Sequence, residues 1–92
     1  MKLKKEFIHH QSGNETLLVA TAGSGFGGLV RGNRTLGAIL ELLGKDVSEE
    51  QLTAALEARF DAPAAVIRRD VGKALATLRE IGALEEQDGE RL

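Results

Sequence analysis

The spacing of apolar residues changes character early in the chain. Before Gly32 they come in short runs and alternations that predict strands. Phe7 to Gln11 (FIHHQ) is a short extended segment, and Ser12-Gly13-Asn14 is turn chemistry, because Gly and Asn adopt positive φ at low cost. Thr16 to Thr21 (TLLVAT) is β-branched and apolar, as strands are. Gly27 to Arg31 (GGLVR) is a shorter strand after a glycine-rich connection. Beyond Gly32 the period becomes helical. Leu36, Ile39, Leu40 and Leu43 recur on one face of a helix over 34–43, capped by Asn33 and stopped by Gly44. Ser48 followed by Gln51 is a capping-box pattern, opening a helix over 48–60 with Leu52, Ala55, Leu56 and Phe60 inward. Pro63 suits the first turn of a helix over 63–82, whose stripe is Ile67, Val71, Leu75, Leu78 and Ile81 and whose stop is Gly82. The acidic tail over 85–92 is expected to fray.

The predicted class is α+β, with a three-stranded antiparallel sheet followed by three helices that bury it from one side. Such a sheet has edges, whose unpaired N–H and C=O groups can accept a foreign strand. The length, 92 residues, predicts a single domain over 1–92. Only three Phe supply aromatic area, so the core must be aliphatic. There is no Cys, which excludes a disulfide scaffold, a thiol nucleophile and a Cys-based zinc site. The net charge of -2 exerts no global pull toward nucleic acid. The N-terminal MKLKKEFIHH is not followed by a long apolar run, and no window has the length of a membrane span. A soluble, cytoplasmic protein is expected.

Candidate chemistry is sparse. Gly23, Gly25 and Gly28 match GxGxxG, but the glycines lead into a strand, whereas a dinucleotide loop opens a helix. A kinase glycine loop does lie between strands, yet the chain has no HRD or DFG and no room for them. The segment reads instead as a flexible connection anchored by Phe26. His9 and His10 are adjacent in a strand, so they point to opposite faces and cannot readily share a metal; one half-buried ring is expected. Glu49 and Glu50 sit in a first helical turn, where negative charge is favourable. Arg68, Arg69, Lys73 and Arg79 outnumber Asp70 and Glu80 on the last helix. Arg68, Gly72 and Arg79 lie along one flank of its apolar stripe, with Ala65 and Ala76 just beyond. No catalytic constellation emerges, and neither a metal nor a cofactor is expected.

The segment FGGLVRGNRTLGAILELLG resembles the passage from the third strand into the first helix of the PqqD-like family. Members typically show a Phe, a Gly with two apolar residues, and then Asn-x-Thr opening an Ile/Leu-rich helix. The matching residues are Phe26, Gly28, Leu29, Val30, Asn33, Thr35, Ile39, Glu41, Leu42 and Leu43. The last helix is similar too, with Asp70, Val71, Leu75, Leu78, Gly82 and Leu84 at the family's positions. Three positions depart from the pattern: Leu40 stands where an aromatic is common, Gly37 where a better helix former is, and Gly32 where an apolar residue precedes Asn33. The first two are expected to weaken the first helix slightly, and the third to alter the end of the third strand.

The resemblance implies a winged-helix-like fold and a non-catalytic peptide-recognition role. Better-studied members bind the leader of a ribosomally synthesised precursor peptide and present it to a modifying enzyme, often a radical SAM protein. The leader adds to the third strand, in the groove between that strand and the last helix. An exposed edge beside a groove is the layout of strand addition. Here Gly28, Leu29, Val30 and Arg31 would offer backbone groups. On a helical wheel Val71 and Leu75 would floor the groove, Arg68 and Arg79 would receive acidic leader residues, and Gly72 would give clearance. One rival is a DNA-binding winged helix using Arg68, Arg69 and Lys73. The acidic chain, the diluted basic cluster and the absence of a wing after the last helix speak against it. The other is a module whose free edge pairs with its own copy as a homodimer.

Overall fold

The computed structural model describes residues 1–21 and 28–86. Its elements are β1 (Lys2–Leu3), β2 (Phe7–Ser12), β3 (Glu15–Ala20), β4 (Leu29–Gly32), α1 (Arg34–Leu42), α2 (Glu49–Arg59), α3 (Ala64–Glu80) and β5 (Leu84–Glu85). The expected three-stranded sheet is present, antiparallel in the order β2-β3-β4. Gly27 and Phe26 of the glycine-rich connection lie outside the described residues.

The β2–β3 hairpin turns through Gly13 and Asn14, and only Gly13 takes positive φ, at 60°. Glycine at the first central position lets the turn follow the strands' own twist. Asn33 caps α1 by accepting from Leu36 N at 3.1 Å. Ser48 and Gln51 form the capping box of α2, with bonds of 3.0 and 2.9 Å. Pro63 stands at the cap of α3, one position before its first turn. At the other end Gly82 is left-handed, φ 75°; Ala83 N donates to Leu78 O and Gly82 N to Arg79 O, which satisfies two orphan carbonyls. Gly44 does not take that role: α1 closes on Leu43 without a left-handed residue.

Two features differ from the sequence expectation. A further strand follows α3: β5 pairs with β1, and Lys4 N donates to Ala83 O at 2.8 Å. Periodicity carries no signal for strands of two residues. Glu85 is therefore paired, while residues 87–92 lie outside the description. The helices also do not share the sheet equally. α1 is the helix laid across the strands, and α2 and α3 pack mainly on α1 and on each other. Gly37, Ala38, Ile39 and Leu40 are consequently buried in succession, where a one-faced helix would expose some of them. The aliphatic core runs from Phe7 and Leu18 of the sheet through Ile39, Leu40 and Leu43 to Leu52, Leu56, Ile67, Val71, Leu75 and Leu78. Among the described residues no buried side-chain polar atom lacks a hydrogen bond.

Candidate functional site

The hairpin register determines which backbone groups of the sheet are free. A two-residue turn makes its flanking pair, Ser12 and Glu15, a hydrogen-bonded pair, and bonded and non-bonded pairs then alternate. Glu15, Leu17 and Val19 thus turn their backbone toward β2. Thr21 continues the series, donating to Glu6 O at 2.7 Å. Thr16 and Leu18 turn theirs toward β4, where they oppose Gly32 and Val30. Leu29 and Arg31 are left with N–H and C=O directed away from β3, and no described strand lies beyond β4. Of the expected backbone set, Gly28 precedes the strand and Val30 is engaged with β3.

β4 and α3 flank α1, and the space between them is an open groove of about 340 Å³. Val30, Leu36, Ile39, Ala74 and Leu78 make its apolar lining, with Asp70, Lys73, Thr35 and Thr77 as polar neighbours. α3 contributes Asp70, Lys73, Ala74 and Thr77, spaced i, i+3, i+4, i+7 along one flank. Gly32 lets Leu36 reach the strand, since a Cβ there would meet the Leu36 side chain, with Leu36 Cβ 3.0 Å away.

The structure distributes the remaining expected site residues elsewhere. Val71 and Leu75 are fully buried and face the core, so α1 rather than they floors the groove. Arg68 lies on the opposite flank, beside Glu49, Glu50 and Glu57 of α2. Arg79 is held by Glu86 through two bonds of 3.1 and 3.3 Å. Gly72 is exposed, with nothing within 4 Å of a Cβ built on it. The reason is geometrical: a wheel defines two flanks beside an apolar stripe but does not tell which one faces the strand. The groove-facing set, Asp70, Lys73, Ala74 and Thr77, lies on the other flank and mixes charged, small and polar residues, so no pattern in the sequence marks it.

Arg69 pairs with Asp70 at 3.9 Å, so the basic residues of α3 are dispersed among acids and form no continuous cationic face. His9 and His10 are both exposed, correcting the half-buried ring: the inward position of His9 lies at the rim, beside Gln11, Glu41 and Arg59. Among the described residues no three His, Asp or Glu gather as metal ligands, and no helix is long and apolar enough to cross a membrane.

The fold recurs in two solved structures. One is TbiB1 in complex with the TbiA(beta) leader peptide, 20% identical, with a TM-score of 0.73 over 95% of this chain and 98% of that one. The other is lasso peptide synthetase B1 complexed with the leader peptide, 19% identical, with a TM-score of 0.68 over 92% of this chain and 96% of that one. No curated protein matches the sequence. The family model of coenzyme PQQ synthesis protein D (PqqD) matches residues 15–84, a span from β3 to the start of β5 that includes β4, the groove and all three helices. The chain belongs to the PqqD family.

Proposed function

We propose that this chain is a non-catalytic recognition module for the leader of a ribosomally synthesised precursor peptide. The leader docks as an added strand on β4, in the groove between β4 and α3, and the module presents the attached core to a modifying enzyme such as a radical SAM protein. The observation that carries this is the coincidence of two features. Leu29 and Arg31 turn backbone groups away from β3 that are unpaired among the described residues, and an apolar-lined groove runs beside them. Main-chain bonds supply general affinity and the groove selects side chains. The two solved relatives in fold, both bound to leader peptides, support the same use of this architecture. We place the module in the cytoplasm, without cofactor, and a second copy pairing along β4 would compete for the same backbone groups.

A backbone amide NMR titration with the precursor peptides encoded beside this gene tests the proposal, with a short DNA duplex as control. Shifts confined to residues 28–33 and to Asp70–Leu78 on peptide addition are expected. No response to any peptide, with shifts along α3 on DNA addition, would overturn it. Mass that rises with concentration would report the homodimer.

A further inference from the structure

The face of the sheet turned away from α1 carries an exposed apolar row. Ile8, Val19 and Leu29 are 56%, 40% and 52% exposed and stand abreast across β2, β3 and β4. The next row is His10, Leu17 and Arg31. Arg31 is 72% exposed and pairs with Glu15 on β3 at 3.6 Å. Both rows end at the edge of β4, beyond which no described strand lies.

We infer, on the footing of leader docking along β4, that the leader is read on this outer face as well as in the groove. An apolar side chain lies beside Leu29 and a carboxylate lies beside Arg31. A strand added to β4 continues the pleat, so residues abreast of Leu29 and Arg31 share their face and are two positions apart. The residue between them points into the groove. Apolar area at Leu29 leaves water when an apolar neighbour covers it. The Arg31 fork can serve a second carboxylate from the edge side while keeping Glu15, whereas a Lys or Arg beside it would face a like charge. The selected motif is acid-x-apolar for an antiparallel leader and apolar-x-acid for a parallel one, so its order reports the strand direction.

The test sorts a displayed library of random peptides on the intact chain and on its Arg31→Glu variant. NMR then locates each binder by the amide shifts of residues 28–33. Binders to the unaltered chain are expected to carry an acid and an apolar residue two apart. On Arg31→Glu the acid should become Lys or Arg at the same register. In a selected peptide, changing the acid to Lys should weaken binding roughly threefold to tenfold, and Arg31→Glu should recover it. Leu29→Ser should relax the apolar preference alone. Binders that shift β4 without this spacing, or whose charge ignores Arg31→Glu, would overturn the inference and leave docking on β4 intact. Absence of any binder at β4 would overturn both.

Discussion

Gly37 of α1 sits against Thr16 of β3 so closely that a Cβ built on Gly37 would stand 2.6 Å from the Thr16 hydroxyl and would also strike Gln11 Oε1. The glycine that looked like a flaw in the helix is therefore the contact that lets α1 lie on the sheet. Ala exceeds Gly in helix propensity by about 1 kcal/mol, yet Gly37→Ala should destabilise the fold by about 1–3 kcal/mol, because α1 must lift from β3. Gly72→Ala is the control. That position is open on α3, so the same exchange should stabilise by about 0.4–1 kcal/mol. Urea unfolding of the two variants checks the opposite signs.

Thr16 is fully buried, and its hydroxyl lies 2.6 Å from Gln11 Oε1 and 2.9 Å from Asn33 O, sharing one proton between two acceptors. Thr16→Val removes that donor at the point where β4 passes into α1. Asn33 O keeps its bond from Gly37 N. A loss of about 1 kcal/mol in chemical denaturation is expected.

Ser48→Ala removes the hydroxyl arm of the capping box on α2, the acceptor of Gln51 N, and leaves the backbone N–H of residue 48 donating to Gln51 Oε1. The expected cost is about 1 kcal/mol. α2 does not line the groove, so peptide affinity measured by titration calorimetry should be unchanged.

Ala74 is half-buried on the groove face of α3. Ala74→Trp fills the groove without entering the core. Circular dichroism and thermal melting should stay near those of the unaltered chain, while peptide affinity falls about tenfold or more, about 1.4 kcal/mol. Binding unaffected by this change would place the peptide elsewhere.

Reversing both Arg68 and Arg79 to Glu should weaken peptide binding less than Arg31→Glu alone. One guanidinium lies over α2 and the other is held by Glu86, whereas Arg31 stands on the edge strand β4. Anisotropy titrations of the three proteins with one labelled peptide give the ranking.

Much of the fold was legible in the sequence because local chemistry and periodicity agreed. The Ser48–Gln51 box, the Asn33 cap and the Gly82 stop all occur where the residues indicated. β1 and β5 were not legible, since two-residue strands have no period and are formed by a contact between the two ends of the described chain. The sandwiching of α1 was likewise hidden. Its residues show one helical stripe, and only the layer order explains why Gly37 and Ala38 are buried as well. For the site, the edge strand could be found from its position after the hairpin. The flank of α3 that faces it could not, because charge on a wheel does not distinguish a groove from a helix–helix contact.

The shortness of β4 has a kinetic meaning. Four residues long, it turns only Leu29 and Arg31 outward, so a docked strand gains about four main-chain hydrogen bonds there. That is little enough to discourage indiscriminate pairing with other edges. It also bounds residence. Were a docked peptide held with micromolar affinity, an association rate of about 10⁵–10⁷ M⁻¹s⁻¹ would let it leave within roughly 0.1–10 seconds. If the peptide docks on β4 as proposed, a longer edge would prolong its stay, and this short one would favour exchange of one bound chain for the next.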